Sequence, residues 1–382
     1  MKVFIVNDAK NSDFATEKRC AATPTTVKKL VRLGLEVAVE SNAGMGSSID
    51  NDAFKEAGAT ISTRAKGIKE ADIVLYVNRP SGADLKNLKQ SAIVIGHCDP
   101  FFAQPLVEQL AEQKVTALSI EMIPRSTRAQ KMDALSSQAN LAGYVMVMQA
   151  ANALPNILPM MMTPSGTIKP AKVFVIGAGV AGLQAIATAK RLGASVLAYD
   201  TRAVVAEQVE SLGGKFLKID LGETGQTKDG YAKELTDEQK QKQLDAQKSA
   251  IADSDMVITT AQLFGRKPPL LINKETLASM KPGAVVVDMA AQSGGNVEGS
   301  VPGETVVVDG VTVIGQGNWS QYVAKNATEM YANNICNLLE EFVNNETGDF
   351  EVDFDDEILT QSIITHGGDI CNQMLRNHYQ GD

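Results

Sequence analysis

Hydrophobic positions fall into short apolar runs separated by stretches of helical length, the rhythm of parallel β-α-β units covered on both faces. In the first third, Lys2–Val6, Gly34–Glu40, Asp72–Val77 and Ala92–Ile95 read as strands. Thr23-Pro24 supplies an N-cap and a proline at the first helical position, which predicts a helix over Thr25–Leu33. Small and apolar residues dominate from Gln130 to Leu158, as expected of one long helix crossing between two domains, and Pro155, Pro159 and Pro164 then punctuate the chain. A second series begins at Ala171, with strands predicted at Lys172–Ile176, Ser195–Tyr199, Lys215–Ile219, Met256–Thr259, Ala284–Asp288, Thr305–Val308 and Val311–Ile314. The polar stretch Gly222–Lys248 reads as a solvated helix with a loop before it, the alternative being a segment over a cofactor site. Ala327–Asn345 has helical apolar spacing at Met330, Ile335, Leu338, Leu339 and Phe342, and such a terminal helix is expected to return to the first domain. The acidic piece Phe350–Phe354 reads as a strand.

At 382 residues the chain is too long for one ordinary core. The expected fold class is therefore α/β, with two Rossmann-like, doubly wound domains on mostly parallel sheets, the second carrying a GxGxxG turn. The expected boundaries are 1–128 plus 320–382, and 129–319. A net charge of −9 argues against non-specific nucleic-acid binding, which needs a basic footprint. Cys20, Cys98, Cys336 and Cys371 are far apart and form neither a CxxC nor a Cys/His cluster, so reduced thiols are expected, with no metal. The first residues lack the apolar core of a signal peptide, and no uncharged apolar stretch reaches the roughly 18–20 residues of a membrane helix. These features point to a reduced, cytoplasmic setting with no membrane span of its own.

The chemistry concentrates at Gly177-Ala178-Gly179-Val180-Ala181-Gly182. GxGxxG alone is weak, but here a strand precedes it, a helix over Leu183–Leu192 follows, and the next strand ends in Asp200, about 20 residues on. Gly177 would permit the tight turn, Gly179 a close approach of backbone to pyrophosphate, and Gly182 tight packing of helix on strand. The helix N-terminus offers unsatisfied N–H groups and partial positive charge to phosphates. Asp200 can accept hydrogen bonds from both ribose hydroxyls and would repel a 2′-phosphate, favouring NAD over NADP, and Arg202 tempers that preference.

The stretch Pro124–Tyr144 (PRSTRAQKMDALSSQANLAGY) resembles the signature of the NAD(H)-binding component of proton-translocating nicotinamide nucleotide transhydrogenases. Gly177–Ala194, Asp229–Lys233, Ile258–Ala261 and Val285–Asn296 are similar to the same family, and the likeness runs from Arg19 to about Asp355. It implies that an Arg-x-x-Arg-Ala-Gln-x-x-Asp loop contacts the nicotinamide, which names Arg125, Gln130 and Asp133 as the groups orienting the ring, with Ser136 close by. Hydride transfer requires the ring to be held in a near-attack geometry, and a guanidinium and an amide suit that task. The resemblance also implies cofactor contacts at Ser126, Thr127, Lys131, Met132, Thr201, Gln243 and Gln262, and a loop closing over the nucleotide through Gly230 and Tyr231. The segments Val6–Lys10, Gly265–Pro269 and Asn318–Ser320, with Cys20 and Gln262, depart from the family pattern.

Alanine dehydrogenase shares this architecture and binds its substrate through an arginine and a lysine, with a histidine and an aspartate for proton transfer. Arg19 and His97 match the first and third of these, whereas Tyr76 stands at the lysine position and Gln292 at the aspartate position. A non-catalytic NAD-binding regulator is the third class, and the intact Gln130/Asp133 loop argues against it. The resemblance thus implies reversible hydride transfer from NADH, at an open cleft between the two domains, to NADP+ on a separate component. A membrane component would couple that step to proton movement and keep this chain at the inner membrane. The chain is expected to end before those components, which would lie on other polypeptides, and to form a homodimer.

Overall fold

A computed structural model describes residues 1–219 and 236–381. The chain divides into two compact units, Met1–Gln138 with Gln321–Asp382, and Ala139–Ser320. Five helices matter to the argument: α1 (Pro24–Arg32), α2 (Ala134–Ala153), α3 (Val180–Arg191), α4 (Asp237–Asp253) and α5 (Ala324–Phe342).

In the first unit, β1 (Lys2–Ile5), β2 (Glu36–Glu40), β3 (Thr60–Ser62), β4 (Ile73–Leu75), β5 (Ile93–Gly96) and β6 (Thr116–Ser119) run parallel in the order β6-β5-β4-β1-β2-β3. Two short antiparallel strands, Ile363–His366 and Asp369–Ile370, extend the β6 edge. The central strands are apolar at nearly every position because helices cover both faces. The helix α1 starts as the sequence indicates. Thr23 and Thr26 form a reciprocal capping box and Pro24 occupies the first turn. Val27 and Leu30 of α1 then share one core with Tyr331, Ile335, Leu338 and Leu339 of α5, so the returning helix belongs to this unit. A fully buried leucine or isoleucine contributes about 1.5–3 kcal/mol, enough to anchor α5 despite its polar outer face.

In the second unit, β7 (Met161–Thr163) and β8 (Gly166–Ile168) form a separate hairpin. The main sheet follows with β9 (Lys172–Ile176), β10 (Ser195–Tyr199), β11 (Lys215–Phe216), β12 (Met256–Thr259), β13 (Val285–Asp288), β14 (Thr305–Val308) and β15 (Val311–Ile314). Its order is β11-β10-β9-β12-β13-β15-β14, with only β14 antiparallel. The order reverses between β9 and β12, the switch point at which open α/β sheets accept ligands.

Several elements differ from the sequence expectation. The long helix begins at Ala134, not Gln130, because a 3-10 turn over Ala129–Met132 ends at Asp133, whose carboxylate accepts the Ser136 N–H as an N-cap does. It stops at Ala153, short of Pro155. The β7–β8 hairpin has no counterpart among the expected strands; Gly166, at φ +136°, makes its turn possible. Phe350–Phe354 is not a strand, since only Phe350 bridges, to Val343. Cys20, Cys98, Cys336 and Cys371 are free thiols. Among the described residues no helix is long and apolar enough to cross a membrane, and no group of three His, Cys, Asp or Glu could hold a metal ion.

Candidate functional site

The glycine turn is built by close approach. Gly177 has φ +98°, and a Cβ there would stand 2.4 Å from Thr260 Oγ1. That hydroxyl donates toward the Ile176 and Gly177 carbonyls, at 3.3 and 3.1 Å, where β9 ends. A Cβ on Gly182 would fall 1.9 Å from the Gly177 carbonyl oxygen. Around Gly179, the N-cap of α3, a Cβ would meet nothing within 4 Å among the described residues, so none of them closes off the helix N-terminus there. Gly143 of α2 lies directly on the first turn of α3, where a Cβ would be 2.2 Å from the Ala181 carbonyl oxygen.

Asp200 follows β10 and is 9% exposed. Its Oδ2 accepts the Ala178 N–H at 2.8 Å and Arg202 Nη2 at 2.9 Å; its Oδ1 accepts the Arg202 N–H and Nε at 2.8 and 2.9 Å. A carboxylate has about four lone-pair sites, and these four donors fill them. A diol reaching Asp200 therefore has to displace Arg202. The sequence casts Arg202 as a mild competitor, whereas in the structure it is the partner of the aspartate.

Thr201 is half-buried, Gln262 is exposed with its N–H donating to the Thr260 carbonyl, and Gln243 is buried on α4. Gly230 and Tyr231 lie outside the described residues. Sequence reasoning misses Asp288 as a structural group. Buried at the end of β13, it accepts the N–H groups of Ala290, Asn296 and Val297. Asn296 in turn donates to the Ala261 and Pro269 carbonyls. The Gly294-Gly295 pair, both at positive φ, is the available signal for this turn.

In the first unit, the loop from Arg125 to Asp133 is rooted by Ala129 and Met132, both 0% exposed. Met132 can thus offer a ligand only its backbone. Arg125, Thr127, Gln130 and Lys131 face outward, and Ser126 keeps a buried hydroxyl without a hydrogen-bond partner among the described residues. Asp133 accepts both the Ser136 N–H, at 2.8 Å, and the Ser136 hydroxyl, at 2.5 Å. Sequence reasoning also misses Asn334 and Asn337 on α5, which hold this loop from behind through the Lys131 carbonyl.

The same unit contains a buried polar cluster. Glu17 binds Arg19 in bidentate fashion, at 2.8 and 2.7 Å, and also accepts from Asn78. Arg19 Nη1 donates to Gln138. Burial alone would raise the Glu17 carboxyl, but the Arg19 charge and hydrogen bonds override it and bring it to about 2. Asp8 accepts the Val77 and Asn78 N–H groups, yet burial prevails and pushes it to about 6. His97 is lowered by burial, stacks on Tyr331 and sits with Nδ1 2.9 Å from the Val77 carbonyl, which makes Nδ1 the protonated nitrogen. The buried Tyr76 hydroxyl has no partner among the described residues and is pushed well above its usual range by desolvation. The arginine an amino-acid dehydrogenase would need is thus already neutralised, and Tyr76 offers no cation.

Family comparisons decide between the two enzyme classes. Residues 10–142 match the description "Alanine dehydrogenase/PNT, N-terminal domain", and residues 146–373 match "Alanine dehydrogenase/PNT, C-terminal domain". The chain belongs to this family. It is 45% identical over 367 residues to the first part of the NAD(P) transhydrogenase subunit alpha of Rhodospirillum rubrum, covering 94% of this chain and 96% of that one. "Alanine dehydrogenase 1" of Staphylococcus aureus is 27% identical over 391 residues, covering 100% and 98%. The solved transhydrogenase from Sinorhizobium meliloti superposes with a TM-score of 0.86 at 42% identity, covering 97% of this chain and 100% of that one. The chain is therefore of the transhydrogenase alpha type, and the expected α/β fold is borne out.

The buried cluster generates a prediction. A depressed Glu17 stabilises the fold above its ordinary 4.5, and this contribution is lost as pH falls through about 2. Glu17→Gln leaves Arg19 buried without its counter-charge and should cost about 3–5 kcal/mol at pH 7 in urea unfolding. It should also flatten the loss of stability between pH 4.5 and 2. An unchanged urea midpoint would mean that Arg19 does not depend on Glu17.

Proposed function

We propose that this chain binds NAD(H) at the Gly177–Gly182 turn and exchanges hydride reversibly with NADP(H) held by a partner component. The observation that carries the reading is the open N-terminus of α3 above Gly179, flanked by the Asp200 carboxylate, in a chain of the transhydrogenase alpha type. The residues fit a dinucleotide. The N–H groups of the first turn suit a pyrophosphate, and among the described residues nothing lies within 4 Å of where a Gly179 Cβ would stand. NADH, when bound, supplies the hydride from its nicotinamide ring. Asp200 takes the adenosine ribose once Arg202 yields. Thr201, Arg202, Gln243 and Gln262 flank the nucleotide, and Arg125, Gln130 and Asp133, with Ser126, Thr127, Lys131, Met132 and Ser136, orient the nicotinamide. Exchange between two such rings moves no net proton at the reacting carbons, so the chain's task is positioning.

The partner reading rests on the relatives' names, since a subunit alpha that comes in parts implies chains beyond the first. We assign NADP binding and proton-coupled membrane transport to other chains, through which this one sits peripheral to the inner membrane. We also infer a homodimer. The β7–β8 hairpin exposes Met161, Met162 and Ile168, and a two-stranded hairpin with apolar side chains in water is marginal unless something covers it.

Cofactor choice tests the first claim. NADH should bind more tightly than NADPH in equilibrium dialysis. Asp200→Ala should narrow the gap, and Arg202→Met, which bares the carboxylate to a 2′-phosphate, should widen it. A wider gap in Asp200→Ala would refute the assignment.

Association is tested by sedimentation. The chain should sediment as a dimer, and Met162→Asp with Ile168→Asp should yield monomers. A wild-type monomer at micromolar concentration would sink the dimer.

Mixed with the NADP-binding component of a transhydrogenase, the purified chain should transfer hydride from an NADH analogue to NADP+ without membranes, and should oxidise no alanine with NAD+. Asn is as good an N-cap as Asp, so Asp133→Asn keeps the start of α2 while removing the charge. Like Gln130→Asn, it should slow transfer by about tenfold or more with little loss of NADH affinity. Parallel losses would reduce these groups to uniform binding.

A further inference from the structure

Asn334 and Asn337 lie three residues apart on α5, on one face of the helix. Both donate from Nδ2 to a single acceptor, the Lys131 carbonyl oxygen, at 3.0 and 2.8 Å. The second side-chain atom of Asn334 is also used. Its Oδ1 accepts the Ser137 hydroxyl at 2.7 Å, in the first turn of α2. One asparagine, 7% exposed, therefore bridges residues 131 and 137, which bracket the bend at Asp133 and its cap with Ser136. The carbonyl settles the amide's orientation, because flipping it would set two oxygens against each other. Ala129 and Met132 fix the inner side of the same turn in the apolar core. The ion pairs outside it, Lys131–Glu341 and Arg128–Asp356, join part-exposed groups and hold little by comparison.

Asparagine is a poor helix former, and Asn334 occupies a core-facing place among Tyr331, Ile335 and Leu338. Two amides aimed at one loop carbonyl are a specific arrangement, not a generic filling of space. We propose that Asn334 and Asn337 are positioning residues for hydride transfer: they clamp the Lys131 carbonyl and so fix Gln130 on one side and Asp133 on the other. This rests on the loop's role in the proposed function. A group orienting a ring for hydride transfer must be held to a fraction of an ångström, and a loop gains that precision from a rigid helix behind it.

The test uses the full chain with Asn337→Ala, Asn337→Asp and the double variant Asn334→Ala with Asn337→Ala. Aspartate keeps the shape but turns a donor into an acceptor facing a carbonyl, so it should behave like alanine or worse. Hydrogen exchange of the amides in 128–136 should accelerate about tenfold or more, with the rest of the chain unchanged. Hydride transfer with the NADP-binding component should fall about tenfold, and the NADH dissociation constant should move by less than about twofold. Wild-type exchange and transfer in the variants would overturn the proposal. So would a uniform rise in exchange across the chain with parallel loss of binding and transfer, the signature of general destabilisation. If the double variant fails to fold, the half-buried Asn337 substitutions carry the same comparison. If the wild-type chain transfers no hydride, the functional reading fails, and with it the catalytic half of this inference, while exchange in 128–136 still decides whether the asparagines hold the loop.

Discussion

Parallel strands end where no neighbouring strand continues, and the backbone N–H and C=O groups just beyond those ends still have to be paired. This chain meets that requirement with buried and half-buried side chains. Asp8 takes the N–H groups that follow β4, Glu121 those that follow β5, and Asp288 those that follow β13. Asp200, after β10, takes the Ala178 N–H. Carbonyls are met by Thr260 after β9 and by Tyr331 after β4. A buried carboxylate is tolerated only when it accepts several donors, and Asp8, Asp200 and Asp288 each do, while Glu121 is half-buried. The loops at the strand ends are therefore shaped from within.

That constraint gives Asp200 two duties. It holds the glycine turn by accepting from Ala178, and it is the group expected to face a ribose. The four donors around it show how the first duty is met without leaving a charge bare: Arg202 completes the carboxylate's shell. A ligand that competes with Arg202 releases a guanidinium beside the position a 2′-phosphate would take. On the proposed reading, cofactor preference at this site is a balance between two residues, and neither alone predicts it.

What can be read from the sequence is whatever depends on near neighbours in the chain. The glycine turn, its flanking strand and helix, and Asp200 lie within about 30 residues and carry their own signals. The Thr23-Pro24 start of α1 is likewise local. The start of α2 is misplaced because Asp133 reads as a ligand contact, and its capping bond to Ser136 competes with that reading. The strand expected at Phe350–Phe354 fails because alternation marks a face, whereas pairing needs a partner, and only Phe350 finds one. Asn334 and Asn337 are illegible for a different reason. Their partner is about two hundred residues away, and no periodicity marks an asparagine that faces a core. Gly143 shows the same limit, since its need for a missing Cβ appears only when α3 is seen lying against it.

The buried cluster of the first unit explains why shared architecture does not dictate shared chemistry. A dehydrogenase of amino acids must clamp a carboxylate and move a proton along with the hydride. Arg19 could clamp one only if Glu17 let go, and the Arg19–Glu17 pair is buried, bidentate and further tied to Gln138 and Asn78. Breaking such a pair leaves a charge stranded in a site of low polarity, a penalty larger than an exposed ion pair could return. His97, neutral and stacked on Tyr331 with Nδ1 given to a carbonyl, is likewise committed to structure. The polar groups of this unit therefore serve mainly to hold one another in place. Through Gln138 the cluster reaches α2 just beyond the loop that carries Gln130 and Asp133, and the proposed reaction asks that loop for position and not for protons.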